Sequence, residues 1–132
     1  MKKISFLMIF AGLFFLANIC NAQVNNAKPA LLDGANATIS GLSNGAITAQ
    51  QLTENEIIIS KQGYKITSFT LRLTINGETY PLVNKESNKL SGRQAFLVSK
   101  KVPGDQVFIE EIICKDADGN EFSLPSMAFT IK

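Results

Sequence analysis

The chain has 132 residues, with 9 phenylalanines, 2 tyrosines, no histidine and no tryptophan, and a formal net charge of +2. Without histidine there is no Ser–His–Asp or Cys–His nucleophile pair, no imidazole base and no histidine metal ligand. Setting aside Lys2 and Lys3 leaves 11 basic residues against 11 acidic ones, a balance unsuited to nucleic acid or an anionic membrane.

Residues 1–22 read as a signal peptide. Lys2 and Lys3 form a basic start, residues 4–17 are apolar apart from Ser5 and Gly12, and Cys20-Asn21-Ala22 supplies small residues at −3 and −1. Cleavage is expected between Ala22 and Gln23, giving a periplasmic or secreted protein. The apolar run is shorter than the ~18–20 residues of a membrane-spanning helix. The alternatives are an uncleaved anchor or a lipoprotein acylated at Cys20, although Asn18 and Ile19 fit a lipoprotein signal poorly. With Cys20 removed, Cys114 cannot form an intramolecular bridge. It is either a reactive or intermolecularly paired thiol or a small buried residue, and its place at the end of the apolar run 107–114 favours burial.

Residues 23–37 are rich in Asn, Ala and turn formers and predict a partly ordered segment, with residues 30–32 docking as a short strand. Residues 38–41 add a brief strand. Thr48 fits an N-cap, followed by Ala49-Gln50-Gln51-Leu52 for at most two helical turns. Ile57-Ile58-Ile59 is a β-branched run suited to a strand. Tyr64 and Ile66 then alternate on even positions, and Phe69, Leu71, Leu73 and Ile75 on odd ones. A regular strand keeps one parity, so a β-bulge is expected near Thr67-Ser68. Asn76-Gly77 predicts a type I′ hairpin, with residues 78–84 returning and Pro81 confining that strand to a sheet edge.

Ser91-Gly92-Arg93-Gln94 has capping-box spacing and opens a helix expected to reach about Lys101. Leu97 and Val98 lie on its inner side, Lys100 and Lys101 at the negative end of its dipole, and Pro103-Gly104 stops it. Residues 107–114 form a second long strand whose parity changes between Ile109 and Ile112, across Glu110-Glu111. Asp118-Gly119 is a second hairpin pair, and Met127, Phe129 and Ile131 alternate to the end. Six or seven strands in this length, with one helix convincing enough to count, predict an all-β fold: an immunoglobulin-like antiparallel β-sandwich over residues 38–132 with one inserted short helix.

Sites for chemistry are few. Glu110 and Glu111 would point to opposite faces of a regular strand; acting together across one substrate requires a bulge that turns both the same way. Asp116-Ala117-Asp118-Gly119-Asn120-Glu121 resembles a calcium loop superficially. Its glycine comes fourth and the twelfth position is Met127, whereas an EF-hand loop requires Gly at six and Glu at twelve. Lys85, Lys89, Arg93, Lys100 and Lys101 form a locally basic stretch, read as a solvated face with protein docking as the alternative. No catalytic residue, cofactor site or metal site is assigned.

The ordered motifs resemble a known family. Tyr64-Lys65-Ile66-Thr67-Ser68-Phe69-Thr70-Leu71 is similar to the K-x-x-S-F-T-[VL] strand of the C-terminal domain of GldM (PorM). Residues 103–112, Pro-Gly-Asp-Gln-Val-Phe-Ile-Glu-Glu-Ile, look like that domain's G-D-x-V-[YF]-[FI]-E-x-I segment. Asp118-Gly119, Leu124 and Phe129-Thr130-Ile131-Lys132 follow in order, and residues 45–52 resemble its G-x-[IL]-[ST]-x-x-x-L start. The resemblance implies a sandwich related to immunoglobulin-like domains, located in the periplasm of a Bacteroidetes-type bacterium. It also implies a non-enzymatic role in contacts with an envelope protein, within gliding motility or type IX secretion. The family has a transmembrane helix and tandem domains, neither of which is expected from these residues, and its connection before the S-F-T strand is here the short Ser60-Lys61-Gln62-Gly63. The domain type is thus expected to carry over, and coupling to an inner-membrane motor is not. A carbohydrate- or surface-binding module is the alternative, with Tyr64 and Tyr80 as the only tyrosines for sugar stacking.

Overall fold

The computed structural model describes residues 29–132. The expected leader and its cleavage site at Ala22 and Gln23 lie outside the described residues. Eight strands and two helices follow in chain order within them: β1 (Ala37–Ile39), β2 (Asn44–Ile47), α1 (Ala49–Glu54), β3 (Ile57–Ile59), β4 (Lys65–Ile75), β5 (Glu78–Lys85), α2 (Gly92–Ser99), β6 (Gln106–Lys115), β7 (Glu121–Leu124) and β8 (Met127–Ile131). The fold is mainly β. Its large sheet has the order β2-β8-β6-β4-β5, with β7 also on β6, and β1 and β3 make a separate two-stranded sheet.

Local chemistry explains most of these elements. Asn76 and Gly77 both have positive φ, +52° and +83°, and Ile75 faces Glu78 across them. This is the two-residue loop whose twist suits a hairpin. Pro81 lies on β5, an edge strand, where a missing N–H costs the ladder least. Upstream, the backbone N–H groups of Leu32 and Ser123 bond the carbonyls of Ser123 and Ala30, docking the segment before β1 beside β7 as expected.

Both helices start with a reciprocal capping box. The Thr48 hydroxyl accepts from the Gln51 N–H at 3.0 Å while Gln51 Oε1 accepts from the Thr48 N–H at 3.0 Å. Ser91 and Gln94 repeat the arrangement at 3.2 and 2.9 Å. The expectation of one inserted helix is therefore corrected to two, packed on each other. α1 has only six residues, and tertiary packing of Leu52 supplies what so short a helix lacks alone. α2 is shorter than expected, with Lys100 as its C-cap. Lys100 lies over the Phe96 ring at 5.0 Å, and Lys101 donates to the Thr74 carbonyl. These basic groups are thus held by side chain and sheet.

The antiparallel expectation also needs correction, because β2 runs parallel to β8. Most of the chain lies between these two strands, enough to return it in the same direction. The remaining neighbours in the large sheet are antiparallel.

One hydrophobic cluster joins the layers. Phe69, Leu71 and Leu73 of β4, Val107 and Ile109 of β6 and Phe129 of β8 pack with Ile39, Leu52, Ile57 and Val98 from the small sheet and the helices. Each such side chain contributes about 1.5–3 kcal/mol on burial. Cys114 is fully buried and free, as its sequence position suggested. Thr70 and Gln94, 4% and 2% exposed, are the buried polar residues among those described, and Gln94 links two elements. Its Nε2 donates to the Leu82 carbonyl at 2.8 Å, tying α2 to β5. The helices and the small sheet cover one face of the large sheet. On the other face Thr74, Val83, Ala128 and Thr130 are exposed.

Candidate functional site

The two parity changes in the sequence belong to one feature. Along β4 and β6 the register shifts between Ile66 and Ser68 and shifts back between Ser68 and Thr70. β4 carries one extra residue at Thr67 and β6 one near Glu111, so the two bulges compensate. Glu111 has φ +50°, a region disfavoured for a residue with a Cβ. β7 and β8 keep a common register against β6 on either side of Pro125-Ser126, which fall opposite Glu111 and Glu110. Their inward residues also change parity there, from Phe122 and Leu124 to Met127 and Phe129. A crease thus crosses β4 and β6 and ends at the β7–β8 junction.

The crease turns both carboxylates onto the uncovered face. Glu110 accepts from Arg72 Nε in the only ion pair among the described residues. Glu111 Oε2 accepts from the Thr70 hydroxyl at 3.4 Å. Arg72 is held above its ordinary pKa first by the hydrogen bond to Glu110, then by attraction to that carboxylate, with a smaller contribution from Glu111. Beside this cluster lies a concavity of about 410 Å³, bordered by Ser68, Thr70, Val83, Glu111, Ile113 and Ser126. Its hydroxyls and carboxylate can hydrogen-bond a ligand, and its aliphatic side chains can exclude water from one. Phe108, half-buried, faces Arg72 across β4 and β6.

A second concavity, of about 500 Å³, runs beside β3 and the start of β4 and includes Ile57, Ile59, Lys61, Tyr64, Lys65 and Glu86. Tyr64 is braced edge-to-face by Phe122 at 5.8 Å. Asn88 closes one end: its carbonyl accepts from the Ile57 N–H at 2.7 Å and its side-chain amide donates to the Ile57 carbonyl at 3.3 Å.

The remaining sequence candidates are dispersed. Asp116 organises the β6–β7 turn. One carboxylate oxygen accepts from the N–H groups of Asp118 and Asn120, both at 2.9 Å, and the other accepts from the Asn120 side chain at 3.1 Å. These bonds, the Asn120 N–H foremost, hold its carboxyl below the ordinary range. The hairpin reading of Asp118-Gly119 therefore accounts for the acidic run. The basic stretch is split: Lys85 pairs with Ser68 on the sheet, whereas Lys100 and Lys101 are engaged near α2. Parity pointed to each bulge, but their alignment with Pro125-Ser126 depends on strand register. The β3 groove had no sequence signal, because topology alone brings residues 57–66 beside residues 86–88.

No protein-family model matches the chain, and no curated protein matches it.

Proposed function

We propose that the chain is a non-enzymatic, exported protein-binding or scaffolding module of the cell envelope. The observation that carries this reading is the uncovered face of the large sheet. Val83, 62% exposed, shares that face with Pro81, Phe108 and the Arg72–Glu110 pair, and aromatic and arginine side chains amid aliphatic ones are favoured at protein interfaces. Engagement of Glu110 by Arg72 supports a binding role for this cluster over proton transfer.

We read the architecture as an immunoglobulin-like sandwich with its smaller sheet reduced to β1 and β3. Within the large sheet, a first strand that runs parallel beside the last, with antiparallel pairing between all other neighbours, supports that reading. The motifs shared with the GldM C-terminal domain support an envelope role associated with gliding or type IX secretion, in a periplasmic or secreted protein. Crosslinked pull-downs from the envelope fraction test the proposal. Reproducible recovery of one protein, lost on Val83→Glu, is expected; repeated recovery of none refutes it.

A further inference from the structure

We propose that the outer edge of β3 is a strand-acceptor site for an extended, acidic segment of a partner protein, an inference that rests on the protein-binding reading. The small sheet ends at β3. On one side the Ser60 N–H bonds the Asn36 carbonyl, continuing the pairing with β1. On the other side the Ile57 N–H bonds the Asn88 carbonyl. Backbone groups alternate between the two edges of a strand, so Ile59, two residues after Ile57, directs its N–H and carbonyl toward the same outer edge. Neither group has a hydrogen-bond partner among the described residues. An unpaired donor and acceptor on a strand edge form a template for another strand.

The edge opens onto the groove of about 500 Å³. Asn88 caps it at Ile57, leaving the stretch from Ile59 toward Lys61 free. Ile59, Tyr64 and Ile66 provide apolar flanks for alternate side chains of an added strand, the usual division of labour in β-augmentation. The two sheet ends are less receptive. Pro81 interrupts β5, and β2 has only four residues with Gly45 at φ +96°.

Charge identifies the occupant as acidic. Lys61 and Lys65 line the groove against the single acid Glu86, and none of the three is in an ion pair. Lys65 also sits directly opposite Lys115, whose other neighbour is Glu121. Like charges facing each other across a ladder are unfavourable, and an acidic side chain lying over Lys65 relieves that repulsion.

The test is a titration of ¹⁵N-labelled mature protein, residues 23–132, with the acetylated and amidated peptide Glu-Val-Glu-Val-Glu and with its Lys-Val-Lys-Val-Lys counterpart. The acidic peptide is expected to shift the amides of Ile59, Lys61, Tyr64 and Ile66 saturably, and to slow Ile59 amide exchange by at least about tenfold. Ile59→Pro, which removes the outward N–H together with an apolar flank of the groove, should abolish the shifts at Lys61, Tyr64 and Ile66 while its remaining spectrum stays folded. The double variant Lys61→Glu, Lys65→Glu should reverse the peptide preference. No saturable change at these amides, equal response to both peptides, or unaltered binding by Ile59→Pro overturns the site. Concentration-dependent Ile59 shifts without peptide also overturn it, assigning the edge to self-association. An envelope partner whose crosslinks map to Val83 and Phe108 but not to β3 refutes the acceptor site and leaves the protein-binding reading intact.

Discussion

Replacing Gln94 with Ala tests whether the α2–β5 junction is held as described. Gln94 makes two bonds with different roles: Oε1 accepts from the Ser91 N–H at 2.9 Å, and Nε2 donates to the Leu82 carbonyl at 2.8 Å. At about 1 kcal/mol each, the two contribute about 2 kcal/mol. The buried methylene lost with them adds about 0.8 kcal/mol, and alanine's better helix propensity returns a few tenths. The expected loss is about 2–3 kcal/mol. Gln51 is the internal control, because it makes the same capping bond in α1 while its amide reaches only the exposed Ser40 hydroxyl at 3.3 Å. Gln51→Ala should cost no more than about 1 kcal/mol. Urea unfolding followed by circular dichroism gives both values under one protocol. If Gln94→Ala costs no more than Gln51→Ala, the buried bond to Leu82 does not anchor the helix and the reasoning fails.

Three further predictions follow from local features. Asn76→Ala forces a Cβ-bearing residue without a local side-chain bond into the left-handed region and should cost about 1 kcal/mol, whereas Asn76→Gly should stay within about 0.5 kcal/mol; equal losses in urea would count against the type I′ turn. The depressed Asp116 carboxyl contributes stability that is complete above its unfolded value of about 3.9 and is lost as pH falls through the lower folded value. Asp116→Asn should therefore show a shallower fall of urea midpoint between about pH 5 and 2. Burial first, and then the Asp116 carboxylate, push the Cys114 thiol up. Its contribution is complete below the unfolded value of about 8.5 and is lost as pH rises through the higher folded value. In native protein this thiol should react with a disulfide reagent far more slowly than in urea, and comparable rates would contradict its burial.

Much of the fold was legible where chemistry is local. Asn76-Gly77, Ser91 with Gln94, and the parity changes at Thr67 and Glu110-Glu111 each specify geometry through residues close in sequence. The same logic undervalued α1, because six residues give a weak periodic signal even though Thr48 and Gln51 already had capping-box spacing. Gln94 was read only as a cap, since its bond to Leu82 depends on where α2 lands. The parallel β2–β8 pairing could not be read from either strand, because it joins distant ends of the described chain. The crease was visible in pieces, and register joined Thr67, Glu111 and Pro125 into one line. The unfilled β3 edge was the least legible feature: Ile57-Ile58-Ile59 announces a strand but not how many neighbours it has.

The proposed binding of another protein by this chain is open to site-specific photocrosslinking in the cells that make it. A photoreactive phenylalanine analogue is placed in turn at Val83, Ile58 and Phe96, all more than half exposed. The first marks the uncovered sheet face, the second β3, and the third a helix surface outside both. Val83 and Ile58 are expected to capture one and the same envelope protein reproducibly, while Phe96 does not. Adducts at none of the three positions, or the same unselective pattern at all three, would contradict it.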